Sequence, residues 1–182
     1  MKDIPARTAQ QEADARIREA QSRVIARMEA DLSAARSTIV TTGEIGEGLA
    51  CQVQQGRFSA VLDLGPGMGG TAAGPSPGFH ARAAICGCVA IQVKMLAARE
   101  GLAFDRVLVT VETDFDDAAL FGLGDGPAAP LETRVAIAID SAEDSDRIEA
   151  LVDRALEMDP WYMALRDRQR VRSTLSVRPA AG

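Results

Sequence analysis

Histidine occurs once in the 182 residues, at position 80. That excludes most zinc sites and any mechanism that needs two imidazoles. Aromatic residues make up 4% of the chain, too few for a platform that stacks nucleobases. Basic residues are also in the minority, 20 Lys and Arg against 26 Asp and Glu, for a formal charge of −6. An acidic balance repels phosphate, so no nucleic-acid partner is expected. Long apolar runs are missing. The longest uncharged stretch, 83–93, is broken by Gly87 and Gln92 and falls short of the roughly 18 residues of a membrane span. No membrane partner is expected from that, and the charged N-terminus has no apolar signal-peptide core. Cysteine is scarce: Cys51, Cys86 and Cys88. Three thiols without a secretory signal point to a reducing, cytoplasmic location and to free cysteines.

What is present is 47% hydrophobic, enough for one domain with its own core and no metal or disulfide staples. Residues 6–36 are rich in Ala, Arg and Glu. Ile17, Val24, Ile25, Met28 and Leu32 recur at spacings of three, four and seven, which predicts a helix with one narrow apolar face. That stripe must dock, on the domain or on a second subunit. The organisation expected is an N-terminal helical extension over 1–42 followed by one domain over 43–182.

From residue 43 the period changes to two. Leu49, Cys51 and Val53 alternate with polar neighbours, Gln55-Gly56 signals a turn, and Phe58, Ala60 and Leu62 alternate again. This predicts a β-hairpin. The Gly65-Pro66-Gly67-Met68-Gly69-Gly70 run matches GxGxxG after a strand, but Gly74, Pro75 and Pro77 prevent a helix from opening at the third glycine. The next acidic residue is Glu100, too far on to bind a ribose. No Gly-Lys-Ser/Thr ends the run either, so it reads as a loop. No cofactor and no metal site is predicted.

Ser76-Pro77 is a helix start, with serine as N-cap and proline in the first turn. The helix runs to about Arg99 and stops at Gly101. It carries no charge from Ala83 to Val93, so it is expected to be a central helix covered on most sides by sheets or by a partner subunit. A strand follows over 106–113, then an acidic and Gly/Pro-rich loop over 114–130. A second strand centres on Val135, Ile137 and Ile139, and a helix spans 141–158, ended by Asp159-Pro160. A short turn comes next, and then a last strand on Val171, Ser173, Leu175 and Val177.

Cys86 and Cys88 lie in the uncharged part of the central helix. At two residues apart they point about 200° away from each other, so they cannot share one pocket, and a bridge between them is excluded. His80 precedes Cys88 by two turns, roughly 12 Å, too far for a direct pair. Arg82 lies beside Cys86. Asp114, Asp116, Asp117 and Asp125 fit no calcium-loop spacing and read as a solvated acidic loop.

Ser76-Pro77 opening a helix, Cys88 eleven residues after that proline, the order of strand, loop, strand and helix, and Asp159-Pro160 together resemble the OsmC/Ohr family of osmotically inducible and organic hydroperoxide resistance proteins. The similarity covers roughly residues 43–178. It implies an α+β fold in an intertwined homodimer, with buried central helices wrapped by antiparallel sheets of both chains. It also implies a thiol peroxidase, in which a helix-borne cysteine thiolate reduces an organic hydroperoxide. Cys88 matches the peroxidatic position. The family glutamate after the helix-opening proline falls on Gly78, and the second cysteine falls on Asp159. Arg57 is the candidate for the activating arginine and Cys51 for a replacement resolving thiol. Two functions are therefore carried forward. One is thiol-dependent reduction of a small organic hydroperoxide. The other is a non-catalytic protein of the same fold that binds an apolar small molecule or plays a structural role.

Overall fold

The computed structural model describes residues 8–177. The first two residues of the helix predicted over 6–36, and the last five of the predicted domain, lie outside them. Helix α1 spans Ala9–Ala30 and a 3-10 turn follows at Leu32–Ala35. Thr8 and Gln11 form a reciprocal capping box at its start. Strands β1 (Thr42–Ile45), β2 (Cys51–Gln55) and β3 (Phe58–Leu62) make an antiparallel sheet in that order. The predicted hairpin is there, closed by the two-residue turn Gly56-Arg57, with Gly56 at φ 55°. β1 is an addition: four residues with one large apolar side chain, Ile45, are too short to show a period.

Helix α2 spans Pro77–Glu100 and ends at Gly101, whose φ of 76° suits glycine; the amide of Leu102 closes the cap on the Ala97 carbonyl. Strands β4 (Arg106–Asp114) and β5 (Glu132–Asp140) pair antiparallel in register Val107↔Ile139, Val109↔Ile137, Val111↔Val135. All six of these side chains share one face; β4 lies against α2, and Val107, Val109, Ile137 and Ile139 pack on the core. Between the strands, the predicted loop carries a short helix α3 (Asp117–Leu120), because Asp116 caps Ala118 and Ala-Ala-Leu follows. Helix α4 spans Ser145–Glu157, starting later than predicted because Asp144, not Ser141, is its cap. The predicted turn after Asp159-Pro160 is helix α5 (Pro160–Arg166), with Asp159 as cap.

The core lies where α2, α4 and the β4–β5 sheet meet. Val89, Val93, Leu96, Ala97, Leu102, Phe104, Leu151 and Ala155 are buried together. By length and composition α2 is the one helix among the described residues that could cross a membrane, but its C-terminal half is the centre of this core. α1 also docks on α2. Asp14 is buried and pairs with Lys94 at 3.0 Å, Lys94 donates to the Phe104 carbonyl, and Arg18 donates to the Ala98 carbonyl.

Two predicted features come out differently. No strand forms over 171–177: the segment pairs with no neighbour among the described residues, and Val171, Leu175 and Val177 are more than 80% exposed. The central helix is covered only in part, since Phe79, Ala83, Ala84 and Ile91 on its N-terminal and outer sides are exposed. Among the described residues, the β1–β3 sheet makes no extensive contact with the helices of its own chain. Its apolar face, with Ile45, Cys51, Val53, Phe58, Ala60 and Leu62, has Ile45 and Phe58 more than half exposed.

Candidate functional site

The loop that delivers the chain to α2 is organised by Asp63. This buried carboxylate accepts from the amides of Leu64, Thr71 and Ala73 and from the Thr71 hydroxyl, at 2.7–3.0 Å. Those bonds hold its pKa down at about 2. The glycines of the loop serve close backbone approach: a Cβ on Gly70 would stand 2.0 Å from the Leu64 carbonyl oxygen, and one on Gly74 equally close to that of Val61. The GxGxxG look of this stretch is therefore a packed turn. Ser76 Oγ then accepts from the Phe79 amide and starts α2.

Eleven residues into that helix, Cys88 is half-buried and meets the start of α5. Asp159 is fully buried there. Its Oδ1 accepts from the amides of Trp161 (3.0 Å) and Tyr162 (2.7 Å), while its Oδ2 is buried without a hydrogen-bond partner. Cys88 lies close enough to this corner for the Asp159 charge to act on its thiol. Burial first, and then the Asp159 charge, push the thiol pKa above the ordinary 9.0; the Trp161 amide pulls the other way but does not win. At neutral pH the site therefore holds a thiol, whereas a working peroxidatic cysteine is expected to be partly ionised.

The other candidate residues are not brought to Cys88 within the chain. Cys51 and Arg57 lie in the β1–β3 sheet, away from α2; the Arg57 guanidinium sits 4.9 Å over the Phe58 ring. Cys86 is half-buried, and all three cysteines are free. His80 is half-buried with its ring edge on Phe79, and its Nε2 is buried without a partner. Arg82 folds back over Gly78, where a Cβ would stand 3.4 Å from Nη1. Two of the acidic loop residues have structural work: Asp114 binds Arg134 and Asp116 caps α3. Among the described residues no cluster of three or more His, Cys, Asp or Glu could hold a metal.

Sequence reasoning missed Asp63 and the Asp14–Lys94 pair. Asp63 carried a signal, an aspartate at a strand end before a Gly/Pro loop. Asp14 and Lys94 carried none, since their pairing spans eighty residues.

A central helix in an α+β frame with two small antiparallel sheets defines the class of fold. The sequence profile of the OsmC-like protein family matches residues 69–174, and the chain belongs to that family. Solved structures share the fold. An OsmC-like protein from Mycoplasma pneumoniae is 18% identical with a TM-score of 0.62, over 71% of this chain and 88% of its own. An organic hydroperoxide resistance protein from Legionella pneumophila is 20% identical with a TM-score of 0.52, over 71% and 90%. A Vibrio cholerae protein described as an organic hydroperoxide resistance protein, with captopril in one of its active sites, is 18% identical with a TM-score of 0.53, over 71% and 85%. No curated protein sequence is a match.

Proposed function

We propose that this OsmC-like protein is a homodimeric, cytoplasmic thiol protein in which Cys88 reduces small organic hydroperoxides slowly and with a preference for alkaline pH. The observation that carries the reading is the position of Cys88, held by the central helix against the Asp159–Trp161 corner. The Cys88 sulfur attacks the terminal oxygen of R–O–O–H and the O–O bond breaks. The alkoxide leaves and takes up the proton that the thiol gives up. The products are an alcohol and a cysteine sulfenic acid. Asp159 offers no sulfur at the corner, so no disulfide closes there. Two equivalents of a small thiol complete the cycle: the first displaces water to give a mixed disulfide, and the second releases Cys88. A second copy of the chain is the source from which Arg57 and Cys51 would approach Cys88, because their own sheet is turned away from their own α2.

A second reading, a non-catalytic protein that binds an apolar ligand, is favoured by the raised thiol pKa and by a groove of about 600 Å³ between α1, α2 and β4. Ile17, Ala20, Ala90, Ile91, Met95 and Val107 line it, and Cys88 does not.

Cumene hydroperoxide consumption separates the two. Wild type is expected to consume one equivalent per chain without added thiol, at a rate that climbs as pH rises toward and past 9.0. Cys88→Ser is expected to consume none. Equal slow consumption by both proteins would leave the binding reading standing.

A further inference from the structure

Helix α1 lies outside residues 69–174, the part of the chain that the family profile matches. It is fastened to α2 by two polar contacts: Asp14 pairs with Lys94 at 3.0 Å, and Arg18 donates to the Ala98 carbonyl at 2.9 Å. Beside those contacts the two helices carry small side chains, Ala20 on α1 and Ala90 on α2. Side-chain size sets how closely docked helices fill the space between them, and here a groove of about 600 Å³ is left between α1, α2 and β4. Ile17, Met95 and Val107 continue its apolar lining, and Phe104, 1% exposed, joins it to the core. Size and lining are those of a small-molecule site, mainly apolar with a few polar groups that select the ligand.

The charges along the groove decide which molecule it suits. Lys94 is answered by Asp14 and donates to the Phe104 carbonyl. Arg106 is answered by Asp140, with Nε 3.8 Å from Oδ2. Asp105 also lines the groove; it is exposed, and among the described residues its carboxylate has neither an ion pair nor a hydrogen bond. The one unanswered charge in the lining is therefore negative. The formal charge of −6 on the chain has the same sign, so the field around the groove favours a cation over an anion.

We propose that the groove between α1, α2 and β4 binds a small aliphatic amine in its protonated form, with the alkyl chain along Ile17, Ala20, Ala90 and Met95 and the ammonium at Asp105. The proposal deepens the second reading above and rests on it for the groove as a ligand site. It does not involve the chemistry of Cys88, which does not line the groove.

The test is isothermal titration of the full chain at pH 7 with octylamine, octanol and octanoate, which share one apolar chain and differ in the head. Octylamine is expected to bind roughly fivefold more tightly than octanol, the size of one exposed ion pair, and octanoate more weakly than octanol. Asp105→Asn is expected to bring octylamine down to octanol and to leave octanol where it was. Ala20→Trp, at an exposed position of α1, places an indole in the groove and is expected to weaken all three. Gln21→Trp makes the same block from the next position should Ala20→Trp fail to fold. Equal binding of octylamine and octanol, or an octylamine affinity unmoved in Asp105→Asn, overturns the amine and leaves the groove as an apolar site. Binding that survives a folded tryptophan variant lies elsewhere on the molecule and overturns the groove as well. A wild type that binds no probe does the same; if a second copy fills the groove instead, the tryptophan variants also lower the mass in light scattering.

Discussion

Asp63 shows how much one side chain organises ahead of the site. Its carboxylate gathers three amides and a hydroxyl, and so folds the loop that aims Ser76 and Pro77 into α2. Its pKa is 3.8 in the open chain and about 2 in the fold. The fold binds the ionised form more strongly, so this stabilisation is complete above pH 3.8 and is lost as pH falls through about 2. Asp63→Asn is therefore expected to be less stable than wild type at pH 7, with the difference shrinking between pH 4 and pH 2. Parallel denaturation curves across that range check it; a gap that stays constant would place the effect outside ionisation. Cys88 was legible in the sequence through its distance from Pro77. The state of its thiol was not, because that state depends first on burial in the fold and then on Asp159, seventy-one residues later and recognisable beforehand only as the place where a cysteine is absent.

At the scale of elements, legibility followed local signal. α2 could be bounded from Ser76, Pro77 and Gly101, since both caps are chemical and local. The alternation of β4 and β5 marked their buried face correctly, with Val107, Val109, Ile137 and Ile139 turned inward. The strand expected over 171–177 had equally good alternation and still did not form. A strand is completed by a neighbour, and period two says nothing about whether one is available. α1 shows the reverse case. Its apolar stripe predicted docking, but the fixing contact is polar: Asp14 with Lys94, which in turn holds the Phe104 carbonyl. Removing one member of a largely buried pair costs on the order of 3 kcal/mol, so α1 is fastened to the core and is more than an appendage on it.

At the scale of the whole molecule, the described residues of one chain leave two apolar surfaces without cover among themselves. One is the face of the β1–β3 sheet; the other is the outer side of α2 around Ala83, Ala84 and Ile91. A second copy that lays its sheet over this helix buries both at once, in a closed and reciprocal contact. Light scattering at micromolar concentration is expected to give twice the 19.2 kDa of the chain, and a value of 19.2 kDa would contradict the paired arrangement. The proposal at stake is narrower: of the three free thiols, Cys88 is the one we propose meets an oxidant. The most direct measurement of it is peptide mapping after one equivalent of cumene hydroperoxide at mildly alkaline pH. Oxygen is predicted on Cys88, trapped as sulfenic acid by dimedone, with Cys86 still a thiol. Oxygen spread evenly over Cys51, Cys86 and Cys88, or found on Cys86 with Cys88 untouched, would contradict the account.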